Sequence, residues 1–420
     1  MSWRLGAIGL AACVAGMAIG AAPPDSGVAL RGLFVVSALG GSWIVWRLAP
    51  LGDLTLRHVV VLAILLRGLV FPLLPSLSDD GYRYIWDGRL TAHGVSPYAA
   101  LPSDDRFAAW HDSVLYQEMN SPDYYSVYPP ASQLLFSIGG WLYPLGWEVS
   151  WYAVKLALVA LEGVGIACLA RVVDRRGLAL YALHPLPIIE IAGQGHTEGA
   201  LIAGLGVALW GASRHPAILG AALSVAGWTK LYPFGLALAL QRRWVGWAVF
   251  GGVTLIGAAA LVPASGVSHV LDSVRLYGGT LDFYSAPFLA LKAALYPVLG
   301  EGAGSLSSTL LFLGWCGFMG ALTVSLDGTP TAVRRYLALG VIGYALASPM
   351  QHPWNWIGAV YMMPLLQTKK WLWWLIAWSS ASYLRYVDLD HAYAAVLAIG
   401  WGGAAWIYAS SRRGLQHVQD

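Results

Sequence analysis

The chain has 420 residues, 57% of them hydrophobic and 11% charged, and its 25 Lys and Arg against 22 Asp and Glu leave a formal net charge of +3. Apolar runs long enough to cross a hydrocarbon core recur along the whole length, which excludes a soluble enzyme and implies a polytopic helical membrane protein. The basic residues stand in small groups beside apolar runs, as topology anchors do, and this pattern excludes a nucleic-acid partner.

The first apolar run, residues 5–22, follows Arg4 and ends in small residues. A cleaved signal peptide has a similar pattern, but a retained first helix is expected. Cys13, Cys168 and Cys316 fall inside apolar runs with neither metal nor disulfide spacing, and are read as small buried hydrophobes. The positive-inside rule places Arg4, residues 47–58, Arg171 with Arg175 and Arg176, Arg214, Arg242 with Arg243, Arg334 with Arg335, Lys369 with Lys370, and Arg412 with Arg413 on the cytoplasmic side. Asp25, the loop 76–129, the turn 193–197, the loop 263–283, the turn 348–353 and residues 388–391 then face outward. About a dozen crossings satisfy this alternation, about 12–14 helices once re-entrant elements are counted. Segments 129–144 and 216–240 begin and end on one side, so each is expected to be re-entrant or broken, packed within protein or lining a wet cavity. With no internal repeat and no linker, residues 1–420 read as a single domain whose largest polar excursion is the segment 76–129.

That excursion contains LSDDGYRYIWDGRLTAHGVSPY, residues 77–98. Pro75 ends the preceding run, Ser78 or Asp79 can cap a helix, and residues 80–92 then have helical spacing, with Ile85, Trp86, Arg89 and Leu90 on one side and Arg83, Tyr84 and Asp87 on another. This helix is expected to lie along the outer membrane surface. The plain structural alternative makes Asp79, Arg83 and Asp87 exposed i,i+4 ion pairs of a few tenths of a kcal/mol each. Against it stands the adjacent pair Asp79 and Asp80: neighbouring carboxylates repel, raising the proton affinity of at least one, as suits a general base near neutral pH.

SDDGYRYIWDGR resembles the first outer-loop motif of the GT-C glycosyltransferases that use polyprenyl-phosphate sugars, especially the bacterial polyprenol-phosphate-mannose-dependent mannosyltransferases. In order along the chain, GVSPYAALPSDD, MNSPDYYSVYPPASQLLF, HPLPIIEIAGQGHTEGAL, TKLYP and SPMQHPW are similar to further segments of that family, from Leu77 to about Trp356. The chain departs from the family at His184, at Thr197 with Glu198, and at Asn355, where the family usually has Asn, Asn-Asp and an aromatic residue. These departures bear on substrate identity more than on reaction type. The resemblance implies an all-α GT-C-like fold with a long first outer loop carrying interfacial helices. It further implies an inverting transfer of a hexose, with mannose expected, from a polyprenyl-phosphate donor to a lipid or glycan acceptor on the outer face of a bacterial-type inner membrane.

The family's base is an aspartate of the first outer loop, which implies Asp79, with Asp80 second. Candidates for the donor phosphate are Lys230, Arg83, His196 and His352. Lys230 lies within an apolar segment, where a charge is costly and therefore points to function, unless it snorkels to an interface. His196 follows Gly193 and Gly195 at an outward turn, with Glu190 and Glu198 close enough to hold its ring protonated. His352 stands between Pro349 and Pro353 beside Trp354 and Trp356; an interfacial belt is the alternative. Glu198, Glu190, Tyr84 and Asp87 complete the expected substrate contacts. Tyr124, Tyr125 and Tyr128 could offer flat faces to a sugar, but with 21 Tyr and 21 Trp in the chain they discriminate little. No cofactor is expected, since protein cations can neutralise the leaving phosphate; the competing arrangement is Mg²⁺ or Mn²⁺ on the paired aspartates with a His.

A transporter or flippase of a lipid-linked or sugar substrate would also be polytopic, with broken helices and ionisable residues in its spans. The missing repeat and the clustering of polar residues at outward turns favour the enzyme. A noncatalytic scaffold has no use for Lys230.

Overall fold

The computed structural model describes residues 2–21, 28–99, 101–119, 121–261, 266–269, 271–272, 282–366, 369–387 and 392–416. Of the expected outward positions, Asp25, residues 388–391 and much of the 263–283 loop lie outside the described residues. The described chain is helical. Its extended backbone is confined to isolated bridges from Phe283 and Tyr284 to Met350.

In chain order, α1 (Trp3–Gly20) packs along α2 (Val28–Leu48), and α3 (Leu56–Val70) begins with a capping box in which Thr55 and His58 exchange side-chain and backbone hydrogen bonds. The loop that follows carries α4 (Asp80–Ala92) and the single turn α5 (Leu115–Glu118). Then come α6 (Pro130–Leu142), α7 (Trp147–Leu169), α8 (Arg175–Ala182), the turn α9 (Pro185–Pro187), a π-helical turn over Ile188–Gly193, and α10 (Glu198–Gly211). The helix α11 (Pro216–Thr229) stops at Lys230 and gives way to a 3₁₀ segment over Tyr232–Leu240. The remaining elements are α12 (Trp244–Ala259), α13 (Ala286–Leu299), α14 (Gly302–Leu322), α15 (Pro330–Ala347), α16 (Ile357–Met362), α17 (Lys369–Ala381) and α18 (Ala392–Gln416).

Among the described residues, four helices are long and apolar enough to cross a membrane: Trp3–Gly20, Ala29–Leu48, Trp147–Leu169 and Gly302–Ser325. Five more apolar helices are shorter, at 10–17 residues, and a 14-residue helix reaches only about 20 Å against a core of about 30 Å. The alternation of charges implies about a dozen crossings, and these four are the described helices that meet both the length and the hydropathy of a full crossing. Proline and polar residues break the 185–240 region, and the charge rule does not register such breaks. Segment 216–240 is the expected broken helix, and segment 129–144 is the short α6 followed by a 3₁₀ turn. Ile64, Leu156, Ile256 and Leu313 are exposed, as on a surface that faces lipid. Cys168 is buried as expected, but Cys316 is exposed on α14.

At the centre, α10 is buried along nearly its whole length against α7 and α11. The helix α4 departs from expectation. It does not lie with one face exposed: Arg83, Tyr84, Ile85, Trp86, Asp87 and Leu90 are all buried, because α4 packs backbone to backbone on α6 at Gly88 and Gly140. A Cβ on Gly88 would overlap the Phe136 carbonyl, and one on Gly140 the Gly88 carbonyl. Gly88→Val should thus cost at least about 1–3 kcal/mol and lower the thermal unfolding midpoint in detergent. Gly163→Ala, with open space around it on α7, should leave the midpoint unchanged or slightly raised.

Candidate functional site

Segments far apart in the chain converge on a cavity of about 1480 Å³. Its wall includes Asp79, Asp80, Tyr82 and Tyr84 at the start of α4, Glu118 of α5, Tyr128, His196 and Glu198 before and at the start of α10, Lys230 and Tyr232 at the break after α11, and His352, Trp354 and Asn355. This exceeds the roughly 300–1,000 Å³ usual for one small ligand.

The acidic end is set by the entry into α4. Asp79 is the N-cap residue but makes no capping bond with its side chain; Ser78 Oγ instead accepts from the Asp80 N–H at 3.2 Å. Upstream, Gln194 Oε1 accepts from the Ser76 and Leu77 N–H groups, both at 2.9 Å, and Lys155 Nζ donates to the carbonyls of Phe71 (2.7 Å), Leu73 (2.7 Å) and Gly193 (2.9 Å). The aspartate loop and the 193–197 turn are thereby fastened to each other. The charges of Glu118 and Asp79 bear on Tyr82, whereas that of Asp80 bears on His196.

The other side of the loop is held by Asp112, which accepts from Arg89 Nη1 and from the Tyr143 hydroxyl, each at 2.8 Å. Burial alone would raise its carboxyl, but the N–H groups of Leu115 and Val114, with Tyr143 and Arg89, hold it below the usual carboxylate range.

The cationic end comes from helix ends. Gly195, at φ +68, makes a left-handed turn, and a Cβ there would overlap Trp151, so glycine is required twice over. The turn presents His196, whose Nδ1 lies 2.9 Å from Glu190 Oε2 and 3.1 Å from the Glu190 carbonyl. Burial disfavours a charged ring at this turn, but the carboxylates of Glu190, Glu198 and Asp80 outweigh it and raise the proton affinity. Two residues on, Glu198 Oε1 pairs with Lys230 Nζ, which also lies 3.4 Å from Asn355 Oδ1. Lys230 is thus engaged at the cavity wall and not extended toward headgroups. A column of parallel rings completes this wall: Phe283 on His352 at 3.9 Å, His352 on Trp354 at 4.4 Å, and Trp354 on His196 at 4.2 Å.

Of the residues singled out from the sequence, Asp79, Asp80, Tyr84, His196, Glu198, Lys230 and His352 line the cavity together. Glu190 stands behind His196, fully buried. Arg83 and Asp87 are not in the wall. Arg83 Nε donates to Asp87 Oδ1 at 2.8 Å and its Nη1 donates to the carbonyls of Ser121 (2.8 Å) and Tyr124 (3.0 Å), while Asp87 also accepts from Ser126 and Gln133. The i,i+4 pair foreseen as the structural alternative exists between Arg83 and Asp87, but buried, where it clamps the 121–126 loop. Nε and Nη1 are engaged in this way, whereas Nη2 is buried without a hydrogen-bond partner among the described residues.

Glu118 and Tyr82 of the wall were missed, since isolated polar residues in a polar loop carry no signal. Lys155 was also missed, although the reasoning that found Lys230 applies to it: it is a charge inside an apolar run. The same signal marks Glu162, which receives Arg67 at 2.8 and 2.6 Å and the Tyr181 hydroxyl at 2.9 Å, tying α3, α7 and α8 together. Among the described residues no three His, Cys, Asp or Glu side chains are grouped as metal ligands. No protein-family model, curated protein or solved structure matches this chain.

Proposed function

We propose that the protein is an inverting, GT-C-like glycosyltransferase that moves a hexose, mannose in the first instance, from a polyprenyl phosphate to a lipid or glycan acceptor. The observation that carries the proposal is the cavity itself. Five of the six stretches that resemble that family contribute to its wall, and they bring Asp79, Asp80 and Lys230 to one cavity. Asp79 takes the proton of the acceptor hydroxyl, and the oxygen attacks the anomeric carbon. The bond from that carbon to the phosphate oxygen breaks, and the electron pair leaves with polyprenyl phosphate. Charge grows on the phosphate during this step, so a fixed cation there stabilises the transition state more than the ground state. Lys230 is that cation, at the ragged end of α11 where its side chain can reach the cavity. The volume admits a sugar phosphate and an acceptor together. The outward face follows from the distribution of basic residues in the sequence.

Purified protein in liposomes should transfer radiolabelled mannose from polyprenyl phosphate to a lipid or glycan extract. EDTA should leave the rate unchanged, because Lys230 supplies the positive charge; reactivation of chelated protein by Mn²⁺ would instead assign Asp79 and Asp80 to a metal. Movement of the intact labelled lipid across the bilayer, with no new glycosidic bond, would make the protein a flippase.

A further inference from the structure

We infer that Glu198 and His196 together read a hydroxyl group of the transferred sugar. The inference rests on the glycosyl-transfer proposal for the class of ligand. Three residues that line the cavity have a buried side-chain atom with no hydrogen-bond partner among the described residues: Glu198 at Oε2 and His196 at Nε2, two residues apart, and Ser308 at Oγ on α14. Glu198 is 2% exposed and His196 1%, so bulk water does not serve them freely. Leaving such atoms unpaired costs about 1–3 kcal/mol each, more when charged, and a pair of orphans in a cavity therefore implies a ligand.

The chemistry of the pair selects which ligand. On the His196 ring Nδ1 faces the Glu190 carbonyl and carboxylate, so Nδ1 carries a proton. The neighbouring carboxylates favour the imidazolium, and Nε2–H is then a donor. Glu198 Oε2 is an acceptor whatever Oε1 does with Lys230. One donor and one acceptor, two residues apart in one turn, suit a group that is both. A hydroxyl accepts from Nε2–H and donates to Oε2. A phosphate oxygen can only accept; it would satisfy His196 but face the Glu198 carboxylate with like charge. His196 is accordingly a sugar contact, not a phosphate contact.

Glu198 Oε1 meets Lys230 across 32 residues of sequence, and its second oxygen is left buried without a partner among the described residues. Glu198 thus fixes Lys230 and reads the sugar at once.

The test uses the purified full chain, farnesyl phosphomannose and its monodeoxy analogues, with equilibrium binding and transfer measured side by side. One analogue should bind the wild type roughly 10- to 100-fold more weakly than the parent, as expected for a lost hydrogen bond to charged groups. In Glu198→Gln, and separately in Glu198→Asp, that gap should close to within roughly threefold, the signature of a direct contact in a double cycle. A wild type that binds every analogue as tightly as the parent overturns the inference. So do variants that weaken parent and analogues equally, which is what a purely structural Glu198 would do. Discrimination in binding without transfer would sink the glycosyl-transfer proposal and keep the sugar subsite. Transfer with no discrimination would do the reverse.

Discussion

Asp79→Asn should lower turnover by roughly a hundred- to ten-thousand-fold, the usual contribution of a general base, while donor affinity stays within about twofold. Asn keeps the shape at the head of α4, where the Asp79 side chain makes no capping bond, so the helix start should survive the change. The two aspartates have separable expectations. The charge of Asp79 bears on Tyr82, and that of Asp80 on His196. A base must meet the incoming acceptor, so loss at Asp79 should appear in the chemical step, whereas Asp80→Asn should weaken donor binding as well. Single-turnover kinetics with saturating donor separate the two. Wild-type turnover in Asp79→Asn would transfer the role to Asp80; wild-type turnover in both would remove the acidic pair from the chemistry.

Lys230→Met should reduce transfer by roughly a hundred- to a thousandfold, the range for removing one preorganised stabiliser of developing charge, and should weaken donor binding with it. Methionine keeps apolar bulk, but the single change leaves Glu198 at 2% exposure without its cation. Breaking a buried pair on one side can cost about 3–5 kcal/mol. Lys230→Met combined with Glu198→Gln removes both charges and provides the folded control. If phosphate binding is the role of Lys230, the double variant should be stable yet weaker toward the donor and slower in transfer than Glu198→Gln alone. Unchanged donor affinity and turnover in either folded variant would take Lys230 out of the site and leave His352 as the remaining cationic candidate in the wall.

What the sequence determined by itself is what depends on near neighbours along the chain. Apolar run length specified an all-helical membrane protein. Proline and the charge of Lys230 in an apolar run marked the end of α11, since neither continues a helix cheaply in an apolar setting. The Arg83–Asp87 pair followed from i,i+4 spacing. The tertiary structure decided which of these residues meet one another and what remains for a ligand. Helical spacing could not show that α4 is buried, because that depends on Gly88 meeting Gly140 some fifty residues away. Nor could it show that Arg83 donates to loop carbonyls, that Lys155 anchors the aspartate loop to the His196 turn, or that Glu198 reaches Lys230. The physical reason is the same in each case. A charge in an apolar run announces that it must be compensated, but the compensating partner is chosen by packing between distant segments, and only the folded chain shows which polar atoms, here Glu198 Oε2 and His196 Nε2, are left without one.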